Sequence, residues 1–91
     1  SLDPSRIEAY ELIGDLYLLS IDKCSSDDVL RNKSIYIAAY EKYKLAGNDA
    51  KMNSSRQQFP TIEEIFVRNK KEGDVVHTGC WINEGVKLKK R

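Results

Sequence analysis

The chain has 91 residues, enough for one small domain, and its 15 Lys and Arg residues nearly balance 14 Asp and Glu, giving a formal net charge of +1. That balance provides no whole-molecule argument for a nucleic-acid or anionic-membrane partner. Hydrophobic residues make up 41% and charged residues 32%, which excludes a disordered chain, and no apolar run approaches the roughly 20 residues of a membrane span.

The N-terminal segment predicts a helix that begins at Asp3-Pro4, because aspartate is a favoured N-cap and proline suits the first helical position. One face of this helix carries apolar or small residues at spacings of three and four: Ile7, Tyr10, Gly14, Tyr17 and Ile21. A second stripe consists of Leu12, Leu16 and Leu19. A helix that is apolar on two sides is usually packed between neighbours, and a glycine in its middle indicates a close helix crossing.

A polar loop over residues 22–28 separates this helix from a second one, predicted from about Asp27 to Ala46 and antiparallel to the first. The acidic pair Asp27-Asp28 favours a helix start, and Gly47-Asn48 are typical of a C-cap. We expect its inward residues to be Val29, Ile35 or Tyr36, Ala39, Tyr40, Tyr43 and Ala46.

The second half of the chain predicts shorter elements. A short third helix lies within 49–58 and ends before Phe59-Pro60, and Thr61 with Glu64 forms a capping box for a fourth helix over 62–69. The segments 75–82 and 86–89 have strand composition, so 83–85 predicts a three-residue hairpin loop. We expect one mainly α domain in three parts: a helix pair (1–47), short capping helices and a turn (48–73), and a β-hairpin (74–91) packed as a cap.

Residues on the two long helices resemble a tetratricopeptide repeat, in which small residues allow close crossing and large ones fill the gap. The residues that match the repeat are Tyr10, Ile13, Gly14 and Tyr17 on the first helix, and Ala39, Tyr43 and Ala46 on the second. Two features depart from it. Gly14 and Ala39 are 25 positions apart where the repeat has about 12, and Lys51 stands in place of the terminal proline.

The C-terminal half is similar to the end of functionally uncharacterised bacterial proteins with such repeats, in which a Phe-Pro-x-x-Glu-Glu-x-Phe element precedes a Gly-x-Trp-Ile-Asn strand. The matching residues are Phe59, Pro60, Glu63, Glu64, Phe66, Gly79, Trp81, Ile82 and Asn83. This resemblance implies a non-enzymatic scaffold for protein–protein contacts that caps an array, packed on upstream repeats of the same chain. Its repeat-packing residues would be Gly14, Ala39, Tyr43 and Ala46.

Tyrosines at helical spacing more often lie in the core than line a ligand groove, yet their hydroxyls need hydrogen-bond partners or water. Tyrosines at the rim of a concave helical surface would contact a protein partner, and we take Tyr10, Tyr17, Tyr36 and Tyr40 as the candidates. The identity of the partner stays open. A further hypothesis is that the segment only terminates the array structurally and binds no partner. If its first-helix face is uncovered, the isolated fragment could also self-associate.

A rival hypothesis is a small nucleic-acid-binding module centred on the hairpin, in which Lys87, Lys89 and Trp81 supply charge and stacking. They belong to a basic set that also includes Arg68, Lys70, Lys71, Lys90 and Arg91. However, Lys87 and Lys89 alternate with Val86 and Leu88, which is equally typical of the solvent-exposed face of a strand. Lysine on such a strand deters edge-to-edge aggregation. We therefore favour a protein partner over nucleic acid.

No catalytic, metal-binding or cofactor-binding constellation is expected. His77 and Cys80 are three apart, a spacing that places them on opposite faces of a strand, and Cys24 lies on a distant loop. The chain has a single histidine, and nothing in the sequence marks a third group that would orient it beside a cysteine nucleophile. We expect two small thiols, with a Cys24–Cys80 disulfide as the alternative in an oxidising compartment. The compartment is open between the bacterial cytoplasm and, if a signal peptide precedes this segment, the cell exterior or envelope.

Overall fold

The fold is based on two long antiparallel helices to which shorter elements are added. The computed structural model describes residues 3–91, so residues 1 and 2 of the predicted helix-pair segment lie outside the described range. The helices are α1 (Pro4–Leu19), α2 (Ile21–Cys24), α3 (Val29–Ala46), α4 (Asp49–Arg56) and α5 (Ile62–Val67). Strands β1 (Val75–His77) and β2 (Gly85–Lys87) form an antiparallel hairpin with Val76 opposite Val86. The predicted helical pair and C-terminal hairpin are confirmed.

The helix ends follow from their capping residues. The carboxylate of Asp3 accepts the Ser5 N–H, and the carboxylate of Asp28 accepts two N–H groups in the first turn of α3. Thr61 and Glu64 form the predicted capping box with both reciprocal bonds, and α3 ends at Gly47 in the left-handed conformation, with φ of 71°. Because Asp28 is itself the cap, α3 begins two residues later than predicted.

The central helix of the domain is α3. It packs against α1, α4, α5 and both strands, and its buried residues therefore lie on more than one side: Leu30, Ser34, Ile35, Ile37, Ala38, Ala39, Tyr43 and Ala46. Within the described residues the first helix is packed on its Gly14–Tyr17 side, and its second apolar side faces the solvent, so coverage on two sides is not seen in this domain. The expected inward position Val29 is 37% exposed, because the neighbouring Leu30 takes the buried position.

The crossing of α1 and α3 is close at Gly14, as predicted. A methyl group on Gly14 would lie 2.7 Å from Cε1 of Tyr43, so only a hydrogen fits between the helix and the ring. The Tyr43 hydroxyl donates to Oδ1 of Asp15 at 2.5 Å, and Nζ of Lys51 lies 3.0 Å from the same oxygen. This polar cluster fixes the ring at the crossing.

The hairpin is shorter than predicted and its loop is longer. Each strand has three residues, and Thr78–Glu84 connect them, so the predicted strand over 75–82 and the three-residue loop are wrong in extent. Gly79, Cys80 and Asn83 have φ of 63°, 58° and 49°, in the left-handed region, which interrupts an extended strand. Buried Thr78 closes the loop: its N–H donates to the Glu84 carbonyl at 2.8 Å, and its hydroxyl accepts the Glu84 N–H at 3.0 Å.

A disulfide bond joins Cys24, at the end of α2, to Cys80 in the hairpin loop, with the Cα atoms 5.7 Å apart. The expectation of two free thiols is therefore wrong, and the alternative pairing is the one observed. The chain returns along α3 and carries the hairpin loop back beside α2, so cysteines that are 56 positions apart in sequence become neighbours.

Candidate functional site

A line of leucines on α1 faces the solvent, and we call it the leucine face: Leu12, Leu16 and Leu19. These side chains are 58%, 42% and 77% exposed. Their spacing of four and three residues places them on one side of the helix, nearly opposite the buried Gly14 and Tyr17. The helix is therefore apolar on two sides, but only one of them is covered within the domain.

The leucine face is bounded by opposite charges at its two ends. Glu8 lies one helical turn before Leu12, and Lys23 lies one turn after Leu19. The helical path continues from α1 into α2, since Ser20 keeps helical φ and ψ and its carbonyl accepts the Cys24 N–H at 2.9 Å. Both charged side chains are exposed, and neither forms an ion pair within residues 3–91. The face thus has an acidic end, an apolar middle and a basic end.

Trp81 lies beside the C-terminal end of the leucine face. Its indole N–H donates to Oγ of Ser20 at 2.8 Å, and its ring meets the Tyr17 ring edge-on with centroids 5.5 Å apart. Ser20 is one turn beyond Leu16, so the 57% exposed indole extends the apolar surface at this end. The adjacent disulfide at Cys80 ties the loop that carries the indole to α2.

The four candidate partner-binding tyrosines lie in different environments. Tyr17 is 6% exposed, and its hydroxyl donates to the Glu84 carboxylate. Burial, and next the Glu84 carboxylate, hold the pKa of Tyr17 above its usual range, so the hydroxyl stays a donor. Tyr40 packs edge-on against Phe59 and accepts a bond from the Arg56 guanidinium at 3.0 Å. Tyr10 and Tyr36 are half-buried. Tyr17 offers almost no surface to a partner.

The residues expected to pack a repeat all lie in the interior. Gly14, Ala39, Tyr43 and Ala46 are buried, and Gly14 meets the Tyr43 ring directly. The hydrogen bond from Tyr43, supported by Lys51, lowers the pKa of Asp15 below its usual value, while burial and Asp15 raise the pKa of Tyr43. The hydroxyl therefore donates to a carboxylate that remains ionised, which locks the two helices together.

Lys87 and Lys89 lie among carboxylates rather than in a purely basic patch. They line a cleft of about 280 Å³ whose other charged groups are Glu41 and Glu84. Nζ of Lys89 is 3.6 Å from Oε1 of Glu41. Trp81, the expected stacking platform, contacts Ser20 and Tyr17 at the end of α1 and does not line this cleft. These neighbours weaken the electrostatic case for a nucleic-acid interface at the hairpin.

A second cleft, of about 350 Å³, carries more positive charge, since Arg31, Arg68 and Lys70 line it with a single carboxylate. Two of these basic groups, Arg31 and Arg68, already contact acceptors within the domain. Nε of Arg31 donates to the Thr78 carbonyl at 3.1 Å, and its guanidinium fills the space beside Gly79. Arg68 lies 3.6 Å from Asp28. Arg31 escaped the basic set defined from the sequence because it lies on α3, far from the others along the chain.

Neither a metal cluster nor a membrane-spanning helix is found in the part of the chain that the structure describes. Within residues 3–91, no group of three or more His, Cys, Asp or Glu side chains is arranged to hold a metal ion. No helix of this range combines the length and hydropathy needed to cross a bilayer.

Comparison with known proteins finds no match for this chain among protein-family models, curated proteins or solved structures. A functional assignment therefore depends on the geometry of the chain itself. The sequence predicts the apolar stripe at positions 12, 16 and 19, and the signal that the sequence-based prediction overlooked is the pair of charges one turn beyond its two ends.

Proposed function

We propose that this domain is a non-enzymatic protein-interaction module that receives an amphipathic helix on the leucine face, antiparallel to α1. The observation that supports this proposal is the exposure of three leucines on one side of a helix whose other side is packed into the core. Apolar anchors at i, i+4 and i+7 are the usual way in which one amphipathic helix recognises another. A contiguous exposed apolar patch is typical of an interaction surface.

The exposed area indicates a modest affinity. The exposed fractions of Leu12, Leu16 and Leu19 together amount to nearly two whole leucine side chains. Burying them would contribute about 3–5 kcal/mol, and a matching partner face would contribute a similar amount. Association itself costs at least about 4 kcal/mol. The difference, about 2–6 kcal/mol, corresponds to a Kd between about 40 µM and 30 mM.

The charges at the two ends define the orientation of the partner helix. A basic side chain would lie opposite Glu8, and an acidic one would lie opposite Lys23, since both groups are exposed and lack an ion-pair partner within residues 3–91. A partner with the same order of acid, leucines and base satisfies both ends only when it runs antiparallel to α1. The proposal thus specifies a sequence pattern for the partner as well as an apolar surface.

The resemblance to a helical repeat supports the same class of function. It implies an antiparallel helix pair with a small residue at the crossing, and Gly14 against Tyr43 agrees with that arrangement. A capping unit of a repeat array would meet the preceding helix through an exposed side of its own first helix, and under this proposal the exposed leucine face is that side. An upstream repeat of the same chain is one source of the partner helix under this proposal.

A designed helical peptide tests the proposed function. The probe carries leucines at i, i+4 and i+7, a glutamate one turn before them and a lysine one turn after. In a control peptide both of these positions are glutamate, so that one end is repelled by Glu8 in either orientation. Titration of isotopically labelled protein, followed by amide chemical shifts, should perturb α1 residues around Leu16 and favour the probe over the control. Leu16→Glu should abolish the shifts, whereas Leu45→Glu, at an exposed leucine of α3, should leave them unchanged.

The proposal is wrong if the shifts centre on another surface or if Leu16→Glu binds the probe as well as wild type does. Circular dichroism of both variants checks that the helices remain formed. Because Leu16 and Leu45 are both exposed, neither substitution removes a core contact.

A further inference from the structure

We infer that the helix received by the leucine face is α1 of a second copy of this chain, so that the domain forms a weak two-fold homodimer. The inference rests on the proposed function and names its partner. It follows from the order of groups along the face, which is an acid, three leucines and a base. When two such faces run antiparallel, each acid meets a base and the leucines meet each other.

Antiparallel pairing about a two-fold axis near Leu16 brings the two ends of the face together correctly. Leu12 of one copy lies opposite Leu19 of the other, and Glu8 of one copy lies opposite Lys23 of the other, because both pairs of positions have the same midpoint. An interface of this kind is isologous, so each contact occurs twice. A single helix face therefore supplies two ion pairs and a continuous leucine contact.

The spacing allows both ion pairs to form at once. Glu8 and Lys23 are 15 positions apart, which corresponds to about 22 Å along a helix. Each charge stands four residues outside the nearest leucine, so the reversed helix presents its charges at the same distance from the axis. Small residues at the border of the face, Ser5 and Ala9, leave room for a second helix to approach near the acidic end, while Trp81 lies beside Ser20 at the other end.

Asp15 is the acidic side chain nearest to the middle of the face, and its charge is already compensated. Its carboxylate accepts the Tyr43 hydroxyl at 2.5 Å and lies 3.0 Å from Nζ of Lys51. The two-fold axis would bring Asp15 of both copies to the same side of the interface. Because each carboxylate carries its own lysine, their mutual repulsion is reduced and does not prevent the pairing.

The size of the face indicates a weak dimer. Three partly exposed leucines and the exposed part of Trp81 provide less than the roughly 800 Å² per partner that is typical of a stable complex. We expect a Kd on the order of 100 µM, which is low enough for a dimer to be populated at millimolar protein concentration.

Sedimentation equilibrium of the disulfide-bonded chain, from about 10 µM to about 1 mM, measures this association. Wild type should change from monomer to dimer over the range, Leu16→Glu should stay monomeric, and Leu45→Glu should match wild type. Glu8→Lys and Lys23→Glu should each weaken the dimer about tenfold, because each turns two attractive pairs into repulsive ones.

Combining the charge variants gives the sharper test. The double variant Glu8→Lys/Lys23→Glu should regain the wild-type Kd, since it exchanges the two ends. An equimolar mixture of the two single variants should associate more strongly than either alone. A parallel dimer pairs like charges in wild type, so neither Glu8→Lys nor Lys23→Glu would weaken it. A dimer formed by another surface would respond to none of these charge changes. Absence of rescue, a dimer that survives Leu16→Glu, or a wild type that is monomeric at the highest concentration would overturn the inference.

These outcomes are separable from those of the peptide experiment, which is carried out at low protein concentration. If the peptide binds at Leu16 while the protein alone stays monomeric, the homodimer inference is wrong, and the proposed interaction module is still supported. If the peptide does not bind and the protein stays monomeric, both proposals are wrong. A dimer with the predicted charge rescue supports both.

Discussion

The substitution Gly14→Ala tests the packing on which the whole domain depends. In an exposed helix interior, alanine is more favourable than glycine by about 1 kcal/mol. Here the added methyl would lie 2.7 Å from Cε1 and 2.9 Å from Cζ of Tyr43, distances that require a shift of the ring or of the helix. Tyr43 is 1% exposed and its hydroxyl is held by Asp15, so the ring has little room to move.

The expected cost follows from these two effects. Overpacking of a core of this kind costs about 1–3 kcal/mol, and displacement of the ring would also weaken a hydrogen bond to a charged group worth about 1.5–3 kcal/mol. After the helix-propensity gain of about 1 kcal/mol is subtracted, Gly14→Ala should lower the free energy of unfolding by about 1–3 kcal/mol. Urea denaturation followed by circular dichroism measures this difference, with the m-value as a check on the two-state assumption.

Two further variants separate the clash from the propensity. Ala9→Gly, at an exposed position of the same helix, should cost about 1 kcal/mol and reports the intrinsic difference between the two residues. In a Tyr43→Leu background the ring atoms that the methyl would meet are absent, so Gly14→Ala should there be neutral or stabilising. If Gly14→Ala instead stabilises the otherwise wild-type domain, α1 and α3 do not cross as closely as described and the reasoning from Tyr43 is refuted.

Two other predictions concern the disulfide and the Asp15 cluster. Cys24→Ser/Cys80→Ser, or reduction of the wild type, should lower the free energy of unfolding by about 4 kcal/mol, because the bond closes a chain segment of 56 positions. Equal urea midpoints with and without reductant would contradict this. The Tyr43 hydroxyl, and next Lys51, lower the pKa of Asp15, so its ionised form contributes stability at neutral pH that is lost as the pH falls through the folded-state pKa. The stability difference between wild type and Asp15→Asn should therefore be largest near neutral pH and shrink below about pH 4, and a difference independent of pH in thermal melts would contradict the assignment.

The features that could be predicted from the sequence are those set by neighbouring residues. The caps at Asp3 and Thr61 depend on a side chain reaching the backbone two or three positions away, so the local sequence contains all that is needed. The end of α3 at Gly47 is similar, because a left-handed residue is required there and glycine adopts it without strain. The start of α3 differs from the prediction by two residues, because Asp27 and Asp28 are both acidic and the local sequence does not distinguish them. The antiparallel helix pair follows from these ends and from the apolar spacing between them.

The features that escaped prediction depend on residues far apart in the chain. Nothing in the sequence around Cys24 or Cys80 shows that α3 returns the hairpin loop to the end of α2. The extent of the strands also depends on tertiary contacts, since Thr78 leaves the strand to close a loop onto Glu84. The β-branched composition of this segment favours a longer strand than the packing allows.

The leucine stripe illustrates a different limit. Its spacing predicts an apolar helix face, but whether a face is covered depends on which elements exist to cover it, and all the later elements pack on α3 instead. The same pattern therefore fits a buried helix and an interaction surface equally well. The exposure of the three leucines in the folded domain distinguishes the two hypotheses, and the charges at positions 8 and 23 are the groups that the proposed partner helix would meet.

The parts of the candidate site differ in what holds them in place. Glu8 and the three leucines belong to one continuous helix, so their spacing is fixed by helix geometry and would survive a change in how α1 packs on α3. Lys23 and Trp81 lie on separate segments, α2 and the hairpin loop, which the Cys24–Cys80 bond joins. The acidic and apolar parts of the site thus depend on local structure alone. Lys23 also follows the helical path through Ser20, whereas the indole is held beside this path by the disulfide, which therefore stabilises the fold and also completes the surface proposed to bind the partner helix.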